Sequence, residues 1–223
     1  MNGFAAGTLV HTDKGLIPIQ NIKVGDLVLS MSEENIDIKA YKRILKIITT
    51  SNQEVYRFAY CTEDQFSEMY MDLSYVLSTA EHPIWSIEEN CWRPVNEFQG
   101  YSKVYTLGVD EKQYYFFWAN QLYRTYDSHG NIYGHTAPPL SRDFAEADRM
   151  EAFFKVTLES IKTYNMEYEN KYSPFMNEAI SLSLIKDLSS VADGTPLLVD
   201  TYHIEVEDFK TYFVGELGLW VHQ

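Results

Sequence analysis

Short apolar stretches broken by glycine-containing turns recur from residue 3 to residue 118 and return after Pro196, and few folds tolerate that pattern. Leu9 and His11 alternate with Val10 and Thr12 ahead of Asp13-Lys14-Gly15, a turn signal. Ile17, Ile19, Ile22 and Val24 then lead to Gly25-Asp26, followed by Leu27-Val28-Leu29-Ser30. Gly25-Asp26 suits a hairpin turn, a structural rather than a chemical role. Further short strands are expected at Ile44–Thr50, Glu54–Ala59, Tyr75–Ser78, Lys103–Leu107 and Tyr114–Trp118. Beyond Pro196 the apolar run Leu197-Leu198-Val199 precedes Tyr202, Ile204 and Val206 at period two, and Tyr212–Gly215 and Leu219–Val221 finish the chain. Aromatics make up 15% of the 223 residues and include 17 tyrosines; such rings pack well on a pleated, half-buried surface.

Residues 119–196 have a different texture. Tyr126–Tyr133 reads as a hairpin around Gly130. Ser141 is a candidate N-cap, and Ala147, Met150, Phe154, Leu158, Ile161, Tyr164 and Tyr168 fall at helical spacing. A second helix is expected from Phe175 to Val191, ended by Asp193-Gly194. The expected organisation is one mainly β domain, 3–118 plus 197–223, interrupted by a hairpin and two-helix insertion at 119–196. No internal repeat stands out in the sequence.

The formal net charge of −14 argues against nucleic acid or an anionic membrane as partner, since both require clustered Lys and Arg. No apolar run is long enough to span a bilayer, and the N-terminus lacks the basic start and apolar stretch of a signal peptide. Cys61 and Cys91 form neither a disulfide framework nor a CxxC metal site, so free thiols in a reducing, cytoplasmic compartment are expected.

Four blocks carry a family resemblance. Phe4–Thr12 with Gly15–Ile19 and Val24–Ser30 resembles the first block of Hint (Hedgehog/intein) domains, which include inteins, bacterial intein-like domains and the Hint modules of polymorphic toxins. Thr79-Ala80-Glu81-His82 resembles the second block, T-x-x-H. Tyr202–Asp208 with Thr211–Gly215 resembles the penultimate block, and Leu219-Trp220-Val221-His222-Gln223 the last. The blocks occur in the family's order and skip 119–196, where inteins commonly carry extra domains. The resemblance implies a horseshoe-like, pseudo-two-fold all-β domain that cleaves or splices itself once. It implies no cofactor and no metal. The partners it implies are flanking polypeptides in cis, and a monomer is expected.

That chemistry starts with an acyl shift from the first residue of the domain. Here that residue is Gly3, which has no side chain, so the N-terminal step is expected to be blocked. By resemblance, Thr79 would hydrogen-bond the upstream amide and His82 would protonate its departing nitrogen. The last step cyclises the terminal side-chain amide onto its own carbonyl, with His222 polarising that carbonyl. Gln223 stands where relatives usually have asparagine, and forms a six-membered rather than a five-membered ring. His203 stands where many relatives have aspartate, and Lys210 where many have histidine. His203 could shuttle a proton; Lys210 could stabilise an oxyanion. Two origins fit these departures: deliberate blocks in a domain cut from a longer protein, or natural degeneration with the fold retained.

Two rival readings follow from the same residues. Asp143, Glu146, Asp148 and Glu151 could suggest a metal-dependent nuclease, but Arg142 and Arg149 among them make this a solvated helix face. His129 and His135 are too loosely spaced for zinc, with only Asp127 as an acidic neighbour. The other rival is a degenerate Hint domain that merely binds or supports a neighbouring toxin or other domain.

Overall fold

The computed structural model describes residues 2–64, 73–108, 112–127, 132–135, 153–156, 179–180, 188–190 and 195–223. Most of the described strands form one 14-stranded sheet, whose first strand, Lys103–Val104, also pairs with Pro83–Ser86 near the other end. The pairing Val104↔Ser86 therefore closes the sheet on itself and leaves fewer exposed edges.

The turns expected from glycine occur. Leu9–Thr12 and Gly15–Pro18 pair as a hairpin, with Gly15 at φ +98°. Gly25 sits at φ +94°, a value only glycine adopts without strain, and its N–H donates to the Ile44 carbonyl. Asp26 is structural, as expected: its carboxylate accepts the Lys23 N–H and pairs with Lys14 Nζ at 2.8 Å.

Lys39–Glu54 is far longer than the Ile44–Thr50 strand expected, because it serves two partners in succession. Leu27–Met31 pairs with its first part, Lys39 to Arg43, and Leu198–Val206 with the rest, from Ile44 to Glu54. A register shift between Glu205 and Val206 marks the changeover.

Two matched units escape detection in the sequence. Leu9–Thr12 and Gly15–Pro18 lead through Pro18 into a 3-10 turn, Ile19–Asn21. Pro83–Ser86 and Cys91–Pro94 lead through Pro94 into another, Val95–Glu97. Both prolines have φ −57°, and Ile19 and Val95 are both fully buried. Two hairpin–proline–turn units with little identity in common thus feed one core, which includes Phe4, Val10, Ile19, Ile84, Val95 and Tyr212. A separate cluster joins Met31, Phe213 and Trp220, with the Trp220 ring 4.7 Å from Trp92 and 4.9 Å from Trp85.

The expected helices are corrected. Within the first, Phe153–Val156 is a strand, with Phe154↔Gly134 and Val156↔Ile132. Within the second, Ala179–Ile180 and Leu188–Ser190 are strands. With Tyr123–Asp127 and Ile132–His135 they form a second, five-stranded sheet. The remainder of both expected helices, Ser141 and the carboxylates Asp143–Glu151 included, lies outside the described residues, as does the hairpin turn with His129. The physical reason is composition: Phe153, Phe154 and Val156 are strand formers that gain cross-strand partners, and a few apolar residues at spacing three or four are equally compatible with short strands. The expected hairpin does form, with Tyr126 opposite Ile132.

Trp220 is fully buried among three other aromatic rings, so Trp220→Ala is expected to cost about 3–5 kcal/mol. Urea denaturation followed by circular dichroism checks this.

Candidate functional site

A strand of only two residues, Phe4–Ala5, sets the geometry. It lies between Ser74–Ser78 (Phe4↔Ser78) and Leu198–Val206 (Phe4↔Tyr202, Ala5↔Thr201). Residue 3 is thereby held between Thr79 on one side and Thr201 on the other. The Gly3 N–H donates to Thr79 Oγ1 at 3.1 Å, and the Thr79 N–H donates to the Gly3 carbonyl at 2.9 Å. Thr79 thus contacts the nitrogen of the Asn2–Gly3 amide, accepting from it rather than donating. A Cβ at Gly3 would lie 3.1 Å from Thr201 Cβ and Oγ1 and 3.2 Å from the Tyr202 carbonyl, so a side chain there needs its neighbours to give by a few tenths of an ångström.

Thr79 opens a turn whose fourth residue is His82, with the His82 N–H donating to the Thr79 carbonyl at 3.2 Å. The turn folds the imidazole inward: it is fully buried, with its ring centroid 4.1 Å from that of Phe4. Neither ring nitrogen has a hydrogen-bond partner. Burial holds His82 well below the usual 6.5, and the neighbouring His203 and His222 push it lower still. It is a neutral imidazole packed on the ring of Phe4, the residue after Gly3.

His203 follows Tyr202 on the same long strand, opposite Ile48. It is half-buried, and its Nδ1 has no partner. Burial lowers its pKa; Glu205 opposes this, while Lys46 and His222 add to it. A turn and two strands far apart in sequence bring the imidazoles of His82, His203 and His222 to one region, where they influence one another.

The C-terminal residues form the other half of the site. Thr211–Val214 and Leu219–His222 pair as a hairpin, with Thr211 opposite His222. His222 Nδ1 is 2.8 Å from the Gln223 carbonyl oxygen, and its Nε2 is 3.2 Å from Glu33 Oε1. The Gln223 N–H donates to the Lys210 carbonyl at 2.9 Å. Gln223 Oε1 accepts the Val206 N–H, next to the Glu205/Val206 register shift. A backbone N–H only donates, so this contact identifies the facing atom as the oxygen and leaves the carboxamide NH2 on the other side.

The structure therefore brings Gly3, Thr79 and His82 together in one half of the site and His222 and Gln223 in the other, with His82 close enough to feel the His222 ring. Lys210 differs: its side chain is exposed, its φ is +58°, and it meets the site through its carbonyl. Sequence reasoning missed Glu33, Thr201 and the Val206 N–H. None carries a spacing signal, since each reaches the site across strands. Among the described residues, no group of three or more His, Cys, Asp or Glu could hold a metal ion.

No protein-family model matches the sequence, and no curated protein does. Solved structures do match. The bacterial intein-like domain from Clostridium thermocellum aligns with a TM-score of 0.51 at 19% identity, covering 100% of this chain and 99% of that one. The gp41-1 intein aligns with a TM-score of 0.51 at 12% identity, covering 100% and 99%. The MchDnaB-1 intein aligns with a TM-score of 0.50 at 11% identity, covering 99% of each chain. The chain has the Hint/intein fold.

Two outcomes follow from this geometry. His82 is held neutral when folded but binds a proton near 6.5 when unfolded, so its contribution is complete above 6.5 and is lost as the pH falls below it. Stability is expected to drop by about 1.4 kcal/mol per pH unit below that point on account of His82. Urea midpoints measured from pH 7.5 to 5.0 check this, and His82→Leu should flatten the slope. Thr79→Val leaves the buried Gly3 N–H unpaired and is expected to cost about 1–3 kcal/mol, read from the same denaturation curves.

Proposed function

We propose that this chain is an intein-like autoprocessing domain, competent for its C-terminal step and blocked at its N-terminal step by Gly3. The observation that carries the reading is the set of contacts at Gln223. Its carbonyl oxygen faces His222 Nδ1 at 2.8 Å, and its carboxamide oxygen is pinned by the Val206 N–H.

When a residue follows Gln223, the carboxamide Nε2 attacks the Gln223 carbonyl carbon. Negative charge develops on the carbonyl oxygen, where an N–H at His222 Nδ1 stabilises it. The peptide bond to the following residue breaks, Nε2 loses one proton, and the departing amine gains one. A glutarimide remains at the C-terminus. The hydrogen bond to Oε1 removes one rotational freedom of the longer glutamine side chain and makes its N–H groups more acidic, which offsets part of the disadvantage of the larger ring.

At the N-terminal junction, Thr79 contacts the Gly3 nitrogen and His82 packs on Phe4, with no nucleophile at residue 3. A thiol at residue 3 would attack the Asn2 carbonyl carbon, forming a thioester as the Asn2–residue 3 amide breaks. The neutral His82 imidazole could take the thiol proton and hand one to the departing nitrogen. His203 is the reserve proton carrier between the two ends in this reading, and the Lys210 carbonyl anchors Gln223.

The test uses the chain extended by peptides at both ends, followed by mass spectrometry over hours. The C-terminal peptide is expected to leave while the N-terminal flank stays attached. Gly3→Cys, which has to displace Thr201 by a few tenths of an ångström, is expected to release the N-terminal flank on addition of a thiol. Unchanged masses at every pH, in both chains, would leave only a binding module beside a neighbouring domain.

A further inference from the structure

We propose that Glu33 is the positioning residue of the C-terminal step, holding the His222 ring at Nε2 so that Nδ1 faces the Gln223 carbonyl. The inference rests on the reading that Gln223 cyclises. Glu33 lies just beyond the Leu27–Met31 strand, far from His222 in sequence.

The argument begins with donors and acceptors. Glu33 Oε1 is 3.2 Å from Nε2 of His222, and the Gln223 carbonyl oxygen is 2.8 Å from Nδ1. A carboxylate and a carbonyl can only accept. A neutral imidazole has one N–H and could satisfy one of them, turning a lone pair toward the other. A ring that carries both protons makes both contacts at once. Such a ring gives the developing oxyanion a charge-assisted donor, which a neutral one cannot.

The spacing of Glu33 from His222 is built into the sheet. Thr211 pairs with His222 across the last hairpin. Its fully buried hydroxyl also donates to the Met31 carbonyl at 2.6 Å and accepts the Met31 N–H at 3.1 Å. One residue therefore locks the end of the strand that carries Glu33 to the strand that carries His222. The loop between is closed on itself, since the Ser32 N–H donates to the Ile38 carbonyl and the Asn35 N–H to Ser32 Oγ. On its remaining sides the His222 ring meets the edge of Trp92 at 5.2 Å and feels the neutral His82 and His203. Glu33 is the carboxylate in contact with it.

The pair is partly solvent-exposed, with side-chain exposures of 26% for His222 and 40% for Glu33, so a moderate effect is expected. The chain extended by a peptide after Gln223 is compared with its Glu33→Gln and Glu33→Asp variants. Glu33→Gln, which keeps shape but removes charge, is expected to slow release of the peptide on the order of tenfold. Glu33→Asp should retain more of the rate. In parallel, the 15N signals of the His222 ring are expected to change in Glu33→Gln, where the ring loses its carboxylate partner. Unchanged ring signals and release rates in Glu33→Gln would overturn the proposal. If the unsubstituted extended chain releases no peptide, the cyclisation reading falls, while the ring signals still decide the Glu33–His222 pair.

Discussion

The rest of the site depends on the way two residues, Phe4 and Ala5, are inserted as a strand between Ser74–Ser78 and Leu198–Val206. Without that insertion the start of the chain would have no fixed relation to the T-x-x-H turn or to the strand carrying His203. With it, the Gly3 amide exchanges hydrogen bonds in both directions with Thr79, and the Phe4 ring packs on His82 in the main core. So short a strand gains little from its ladder alone. It is held by burial: both residues are fully inaccessible to solvent, and burying a phenylalanine side chain is worth about 1.5–3 kcal/mol.

Burial also sets the chemistry. Three imidazoles share one region, and mutual repulsion disfavours more than one positive charge among them. His82, fully enclosed, is the one forced neutral. His222, half-exposed, has the Glu33 carboxylate 3.2 Å from its Nε2. Two histidines of the same kind in the sequence thus acquire different surroundings: a neutral ring enclosed against Phe4 and a partly exposed ring between Glu33 and the Gln223 carbonyl.

One strand connects the two halves of the site. Leu198–Val206 touches both halves: Tyr202 opposes Phe4 near the N-terminal site, and the Val206 N–H reaches the Gln223 carboxamide. The register shift at Glu205/Val206 interrupts the ladder where that N–H turns to a side chain instead. A local irregularity in a long strand thus holds a side-chain carboxamide.

Much was legible in the residues. Turns at Gly15 and Gly25, the structural part played by Asp26, the strand texture on both sides of residues 119–196 and the blocks around Thr79, His82, His203 and His222 depend on local chemistry, which short-range sequence carries. The helices expected in 119–196 failed at Phe153–Val156, Ala179–Ile180 and Leu188–Ser190, because apolar spacing cannot tell a helix face from a strand that finds partners elsewhere. The matched hairpin–proline–turn units went unseen because they share backbone geometry and burial at Ile19 and Val95 and little residue identity. By itself, then, the sequence determined the β character, the positions of the turns and the absence of a side chain at Gly3. Only the tertiary structure decided that Thr201 lies against that glycine, that Lys210 meets the site through its carbonyl, and that Glu33 stands beside His222. These depend on which strands become neighbours, and strand neighbours are chosen by closure of the whole sheet around its core, which no short run of residues encodes.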